Sequence, residues 1–513
     1  MAENYFVPNI EIKSSTSFYV FLISRFISFT YSMYLVIKIA FFKINEVQKN
    51  MEEGTKERSF FTCNKKSFFF ITAIIVLAYL PYWLQYFPGI ASADPVNQAM
   101  QVLGVYELTN HHPVLHSFLI FICLKISQFF IGNYSGAVGI YCGIQILALA
   151  MTFSFVLYYM AKKKINKNAR ILVLLIFAFF PLFPLYAITV QKDIFFAISV
   201  TLFTIAIIEI CTNTEFFTKK TNYIYLILSI LGTMFFRNNG IYVIMISFLV
   251  LVIVFRNYYK QIGAVFLTCI LFYYVITTWG FSKMNIKQGS VSEMLSIPVQ
   301  YFARLEQRKS DELTEEEKKE INRYLPVENL GDLYNPKISD GVKRHLDKKE
   351  FEKDKVGFIK LYINLIIKHP IEALESFISG SYGYYYPDTL DWGLSTIMFE
   401  SERKEEKDLN WIQEPIIQST LIQEISNTIN KRDIPILSTF YSIGFVFWMM
   451  IICGAYIIYQ KEYRILSMFV PVIGVWLTSL ASPVYGEMRY VLSMYTCLPI
   501  FIIFAINRKM ELK

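Results

Sequence analysis

Long apolar runs separated by short, mostly basic connections set the pattern of the chain. Runs that read as spanning helices cover 17–42, 68–87, 136–160, 170–189, 194–212, 222–236, 241–255, 262–280, 436–460, 465–482 and 490–506. Crossing a hydrocarbon core roughly 30 Å thick takes about 20 apolar residues. The pattern therefore predicts an all-α polytopic membrane protein of ten or eleven transmembrane helices. The lower count applies if the first run, which carries Arg25 and Lys38, lies in the interface instead. The runs 222–236 and 241–255 are short and meet near Arg237.

The stretch Pro113 to Phe130 decides the topology. It is long enough to span with effort, yet it holds His116, Ser117, Lys125 and Gln128. If it stays in the interface, the basic loops around Lys43, Lys49, Lys56, Arg58, Lys65 and Lys66, around Lys162 to Arg170, at Lys219 and Lys220, at Arg256 and Lys260, and at Lys461 and Arg464 all face the cytoplasm. So does the tail with Arg508, Lys509 and Lys513. If it crosses, every later basic loop moves outside, against the bias of short basic loops toward the cytoplasm. We expect a juxtamembrane helix, with Leu115, Phe118, Leu119, Ile122, Ile126 and Phe129 on one apolar face. Phe358, Leu361, Tyr362, Leu365 and Ile366, opposed by Lys360, Asn364 and Lys368, suggest a second segment resting on the membrane.

Composition narrows the class. Of 513 residues 54% are hydrophobic and 18% charged, against about 25% charged in an average soluble domain. A soluble enzyme is excluded. The net charge of +8 hides a division: residues 281–435 hold 22 Lys+Arg and 27 Asp+Glu, leaving the rest of the chain basic. Basic residues confined to short loops fit membrane topology and not nucleic-acid binding. The seven cysteines, six in apolar segments and Cys63 in a basic loop, show no disulfide framework or zinc spacing. The N-terminus lacks the layout of a removable signal peptide. The expected division is an N-terminal span and basic loop (1–67), a transmembrane module (68–280) with first outer loop 88–135, a mostly helical extracytoplasmic domain (281–435), and C-terminal spans with a cytoplasmic tail (436–513). The charged stretch 309–320 reads as a solvated helix on that domain.

With this parity, the unusual polar residues gather on one side. Asp94, in GIASADPVNQ, is a carboxylate at the membrane edge; an apolar environment would raise its pKa and suit it to general-base work. The plainer alternative is a helix N-cap ahead of Pro95. His111 and His112 read as polar lining of a cavity, with interfacial hydrogen bonding as the simpler role and metal binding the weaker expectation. Lys192 and Asp193 stand between two spans, either functional or paired with each other. Arg237 and Arg489 face outward and each needs an anion, either a carboxylate such as Glu487 or a lipid phosphate. Tyr382, Tyr384, Tyr385, Tyr386 and Trp392 suit sugar stacking or a membrane interface. There is no phosphate-cradling glycine loop, nucleophile elbow or His-Glu-x-x-His helix, so a cytosolic nucleotide-sugar site is not expected.

An acid in the first outer loop (Asp94), a short helix from His112 and Pro113, a second acid two spans later (Asp193) and a large late ectodomain together resemble the GT-C glycosyltransferases. The stretches NHHPVLHSF, QKD, FRNNG, SGSYGYYYP and SPVYGEMRY are similar to a bacterial subgroup of that superfamily. The resemblance covers roughly 68–506. It implies a GT-C-like bundle and inverting transfer of a sugar from a polyprenyl-phosphate carrier to an envelope glycan or glycolipid, with Asp94 as the catalytic base. Asp193, Lys192, His111, His112, Arg237, Glu487 and Arg489 would line the substrate site. Some relatives carry an acidic pair at the second position that helps bind a metal; here Lys192 precedes Asp193, and neither metal nor cofactor is expected. The rivals are a transporter or flippase of a lipid-linked glycan, and a membrane acyltransferase using His111 or His112.

Overall fold

The structure is a computed structural model that describes residues 16–52, 63–289, 291–387, 389, 394–430, 437–482 and 484–506. Arg508, Lys509 and Lys513 of the expected tail, Lys56 and Arg58 of the first basic loop, and Trp392 lie outside them. The described chain is helical, and its β-structure there consists of three isolated bridges. Eight helices are long and apolar enough to cross a membrane, with two shorter apolar helices beside them. The chain is an all-α polytopic membrane protein.

The helices used below are α1 (Thr16–Glu52), α2 (Lys65–Gln85), α3 (Ala93–Val102), α4 (Val114–Ile131), α5 (Ala137–Lys162), α6 (Lys167–Phe179), α7 (Leu182–Ala187), α8 (Lys192–Thr212), α9 (Lys220–Phe236), α10 (Gly240–Val254) and α11 (Tyr259–Val275). Then come α12 (Ser296–Lys309), α13 (Glu315–Tyr324), α14 (Lys355–Lys368), α15 (Pro370–Ser381), α16 (Ile443–Tyr459), α17 (Val470–Leu480) and α18 (Leu492–Ile506). The predicted run 170–189 is not one helix. Phe180, preceding Pro181, takes an extended ψ of 116°, as the proline ring demands of its predecessor, and the passage continues as the six-residue α7.

Helices α2 and α5 pack antiparallel: Thr72 Oγ1 bonds Ser154 Oγ at 2.9 Å, while Trp83 lies against Gly143 and Pro88 against Gly139. The connection between them thus leaves and returns at one end of the bundle. Helix α4, inside that connection, has His116 near its start bonded to Tyr141 and Ser127 near its end bonded to the Gly136 N–H. Both ends sit beside the first turns of α5, so α4 makes no net crossing although its length and hydropathy permit one. Its exposed residues are mostly apolar (Leu115, Phe118, Ile122, Phe129), with Lys125 and Gln128 beside them, and its buried face combines His116, Ser117 and Ser127 with Ile120, Cys123 and Leu124. An exposed face this apolar suits lipid better than water.

The remaining helices run end to end. At the end opposite the site, Lys162 and Lys163 pair with Glu209, Tyr258 bonds the Thr214 carbonyl, and Cys211 meets Arg464 and Ser467. The described basic connections collect there. At the other end sits a helical domain formed by 291–381. Its core holds Tyr301, Phe302, Leu305, Tyr324, Phe358 and Leu365, with Arg304 buried against Glu372 and Glu375. The expected charged helix is α13, closed by a capping box between Thr314 and Glu317. The face of α14 expected on the membrane instead turns inward. Phe358 and Leu365 are buried, and Leu361, Tyr362 and Ile366 pack on the same core.

Candidate functional site

Two extended segments joined by a single bridge set the site. Ile90 and Thr189 form a parallel bridge, with Ile90 N–H donating to the Ile188 carbonyl at 2.9 Å and Val190 N–H to the Ile90 carbonyl at 2.8 Å. Four residues after each bridge partner comes an acid, Asp94 or Asp193, in the first turn of α3 or α8. Negative side chains there face the positive end of the helix. Asp94 is not the N-cap: Ser92 holds that position, and its side chain makes no capping bond. Gly89 leads into the bridge with φ +143°, and a Cβ on it would stand 2.9 Å from the Ile188 carbonyl.

The eight expected residues converge at this end. Arg489 places Nη1 3.4 Å from Asp94 Oδ2 and Nε 3.4 Å from Glu487 Oε1. Arg237 reaches Asp193 Oδ1 at 3.0 Å and also donates to the Tyr490 carbonyl at 3.0 Å. Lys192 does not pair with its neighbour Asp193; its Nζ donates to His112 Nδ1 at 3.1 Å. His111 is exposed, its ring edge-on to His112 at 4.6 Å, and Asn238 of the FRNNG turn donates to its carbonyl at 3.2 Å. The Asp94 side chain is 39% exposed, whereas Asp193 is buried. Asp94 is thus the acid that meets solvent or substrate.

The electrostatics correct one expectation. Burial pushes the Asp94 carboxyl up, but Lys192, His112, Arg489 and His111 outweigh it and hold the group at about 2. With these cations beside it, Asp94 is a weaker base than an ordinary carboxylate. Burial, then Lys192, pushes the His112 ring down to about 3, so it is neutral and accepts from the lysine. Burial pushes Glu487 up to about 7 against the pull of Arg489, with Asp193 adding to the rise.

Several participants escape a sequence reading. Tyr490 lies under Arg237, 4.3 Å from its guanidinium, and beside Arg489 at 5.2 Å. His116, within α4, bonds Gln98 Oε1 at 3.0 Å and Tyr141 OH at 2.8 Å; Gln98 lies one turn beyond Asp94 on α3. Tyr141 OH in turn donates to the Gln191 carbonyl at 3.2 Å, just before Lys192. The only sequence signal for this link is a histidine and serine inside an apolar run. Of the tyrosine stretch, Tyr382 and Tyr384 are buried, and Tyr384 OH bonds Ser482; they support the site and are closed to a sugar. Among the described residues no group of three or more His, Cys, Asp or Glu is arranged to hold a metal.

Fold and site define a polytopic helical membrane protein with a cluster of acids and cations at one end of its bundle. The chain belongs to a family of unknown function, DUF6020, whose model matches residues 104–512. The match includes every residue of the cluster except Asp94. No curated protein and no solved structure matches the chain.

Proposed function

We propose that the chain is an inverting membrane glycosyltransferase of GT-C type, moving a sugar from a polyprenyl-phosphate carrier to an envelope glycan or glycolipid at the outer face of the cell membrane. The observation that carries this reading is the part-exposed Asp94 carboxylate flanked by Arg489 and Lys192 at the bundle end away from the basic loops. The bias of basic loops supports an outward site, an extracytoplasmic 281–435 and a cytoplasmic C-terminus. A lipid phosphate at headgroup level would lie between Lys192 and Arg489, whose contacts to Asp94 and Glu487 are both long at 3.4 Å. Drawing those cations onto the phosphate raises Asp94 toward its ordinary basicity. Asp94 then takes the acceptor hydroxyl proton as that oxygen attacks the anomeric carbon, and the carbon–phosphate-oxygen bond breaks with its electron pair leaving on the phosphate. Arg237 is committed to Asp193 and serves to hold α8 in place.

The test is envelope-glycan composition in cells deleted for the gene and complemented with wild type or Asp94→Asn. Loss of one sugar with the variant, while purified variant still binds polyprenyl monophosphate, supports the base role. Full complementation removes Asp94 from the mechanism. Lipid-linked sugar trapped on the inner leaflet would identify a flippase instead.

A further inference from the structure

Helices α14 and α15 turn an apolar surface outward from the domain at the site end. On α14, Val356, Ile359, Ile363 and Ile367 form one exposed stripe, bordered by Lys355 on one side and Lys360, Asn364 and Lys368 on the other. On α15 the exposed residues are Pro370, Ile371, Leu374 and Phe377, all apolar, while Glu372, Glu375, Ser376, Ser379 and Ser381 turn inward. Ile367 is 73% and Ile371 71% exposed. The inward acids hold buried Arg304, so this orientation is anchored and α15 cannot roll over.

A helix with polar residues inside and apolar residues outside is backwards for water and correct for lipid. An exposed apolar row (Leu115, Phe118, Ile122, Phe129) also marks α4, which lies at the same end of the bundle. Helix α15 also ends at membrane level, for Phe377 and Gly380 in its last turns share a cleft with Leu480 and Ser482 at the end of α17. Lysines bordering the α14 stripe can lay their stems along the apolar surface and keep their ammonium groups at the headgroups. We infer that the outward face of α14 and α15 docks on the bilayer surface, so that the domain lies against the lipid beside the site. The bilayer, and not a second copy of the chain, is the occupant favoured by the lysine border and by continuity with the lipid-facing bundle.

The test uses the full chain with exposed Cys63 replaced by serine, carrying Ile363→Cys, Ile367→Cys, Ile371→Cys or Leu374→Cys, labelled with bimane and reconstituted in phosphatidylglycerol-containing vesicles. Glu316→Cys on α13 is the water-exposed reference. Lipid carrying a doxyl group should quench the four labels at least about threefold more than the reference, with aqueous iodide giving the reverse order. Iodide quenching equal to the reference would overturn the proposal. So would protection from both quenchers, which would mean that protein covers the face.

Discussion

Arg489 stands 3.4 Å from Asp94 across 395 positions of sequence, and the same guanidinium reaches Glu487. Both contacts are 3.4 Å, longer than the 3.0 Å between Arg237 and Asp193, so Arg489 is the less tightly held guanidinium of the two and the one that can exchange a carboxylate for another anion. Arg489→Ala should weaken binding of polyprenyl monophosphate by about ten- to hundredfold, the worth of one or two charge-assisted hydrogen bonds. Arg489→Lys should recover part of the loss, because charge survives but the planar fork does not. Titration of purified protein in nanodiscs measures both; equal affinity in all three proteins would count against a phosphate at this arginine.

Glu487 makes stability depend on pH. Its folded pKa, about 7 through burial, lies above the ordinary value of 4.5, so the folded state holds the proton more tightly. The contribution is fully present below about pH 4.5 and is lost as pH rises through about 7. A loss of up to about 3 kcal/mol is expected across that window. Glu487→Gln should flatten this part of the Tm profile in nanodiscs; an unchanged slope would show that the carboxyl ionises freely.

Arg237 and Asp193 form the buried pair, with side chains 12% and 1% exposed. Removing Arg237 alone leaves a buried carboxylate without its cation, which costs about 3–5 kcal/mol. Arg237→Ala should therefore unfold at much lower denaturant than wild type. Arg237→Gln combined with Asp193→Asn should restore most of the stability, since no buried charge remains. A double variant no better than the single would mean that Arg237 acts through Tyr490 and not through the acid.

Much of this arrangement was legible from the chain. Asp94, Lys192, Asp193, Arg237, Glu487 and Arg489 all sit in connections between apolar runs, so counting crossings is enough to bring them to one end once α4 is kept out of the count. Pairing was legible for Arg489 with its near neighbour Glu487 and not for the rest. Lys192 turns to His112 and leaves Asp193 to Arg237, a choice made by the approach of three separate segments. The sign of the Asp94 shift escaped for the same reason, because burial is readable at a membrane edge but the number of nearby cations is not. The break at Phe180 was hidden by hydropathy, which averages across Pro181. Helix α14 is apolar on two faces, and periodicity alone could not say which one covers the core.

Gly383 ties the tyrosine stretch to the acid-bearing segment. A Cβ there would stand 2.6 Å from the Tyr485 carbonyl and 2.9 Å from the Gly486 Cα, both backbone atoms with no rotamer to change. The close approach lets Tyr384, buried at 0% exposure, bond Ser482 Oγ at 2.8 Å and take the Glu487 N–H at 3.3 Å. Gly383→Ala must push the two segments apart and should cost about 2 kcal/mol or more. The displacement would fall on Glu487 and Arg489, so phosphate binding should drop together with Tm. Ala at Gly380, where a Cβ meets nothing within 4 Å, should leave both unchanged. If Gly383→Ala lowered Tm while binding held, the 482–487 segment would be a support for the fold only, and Arg489 would owe its position to Tyr490 and α18 instead.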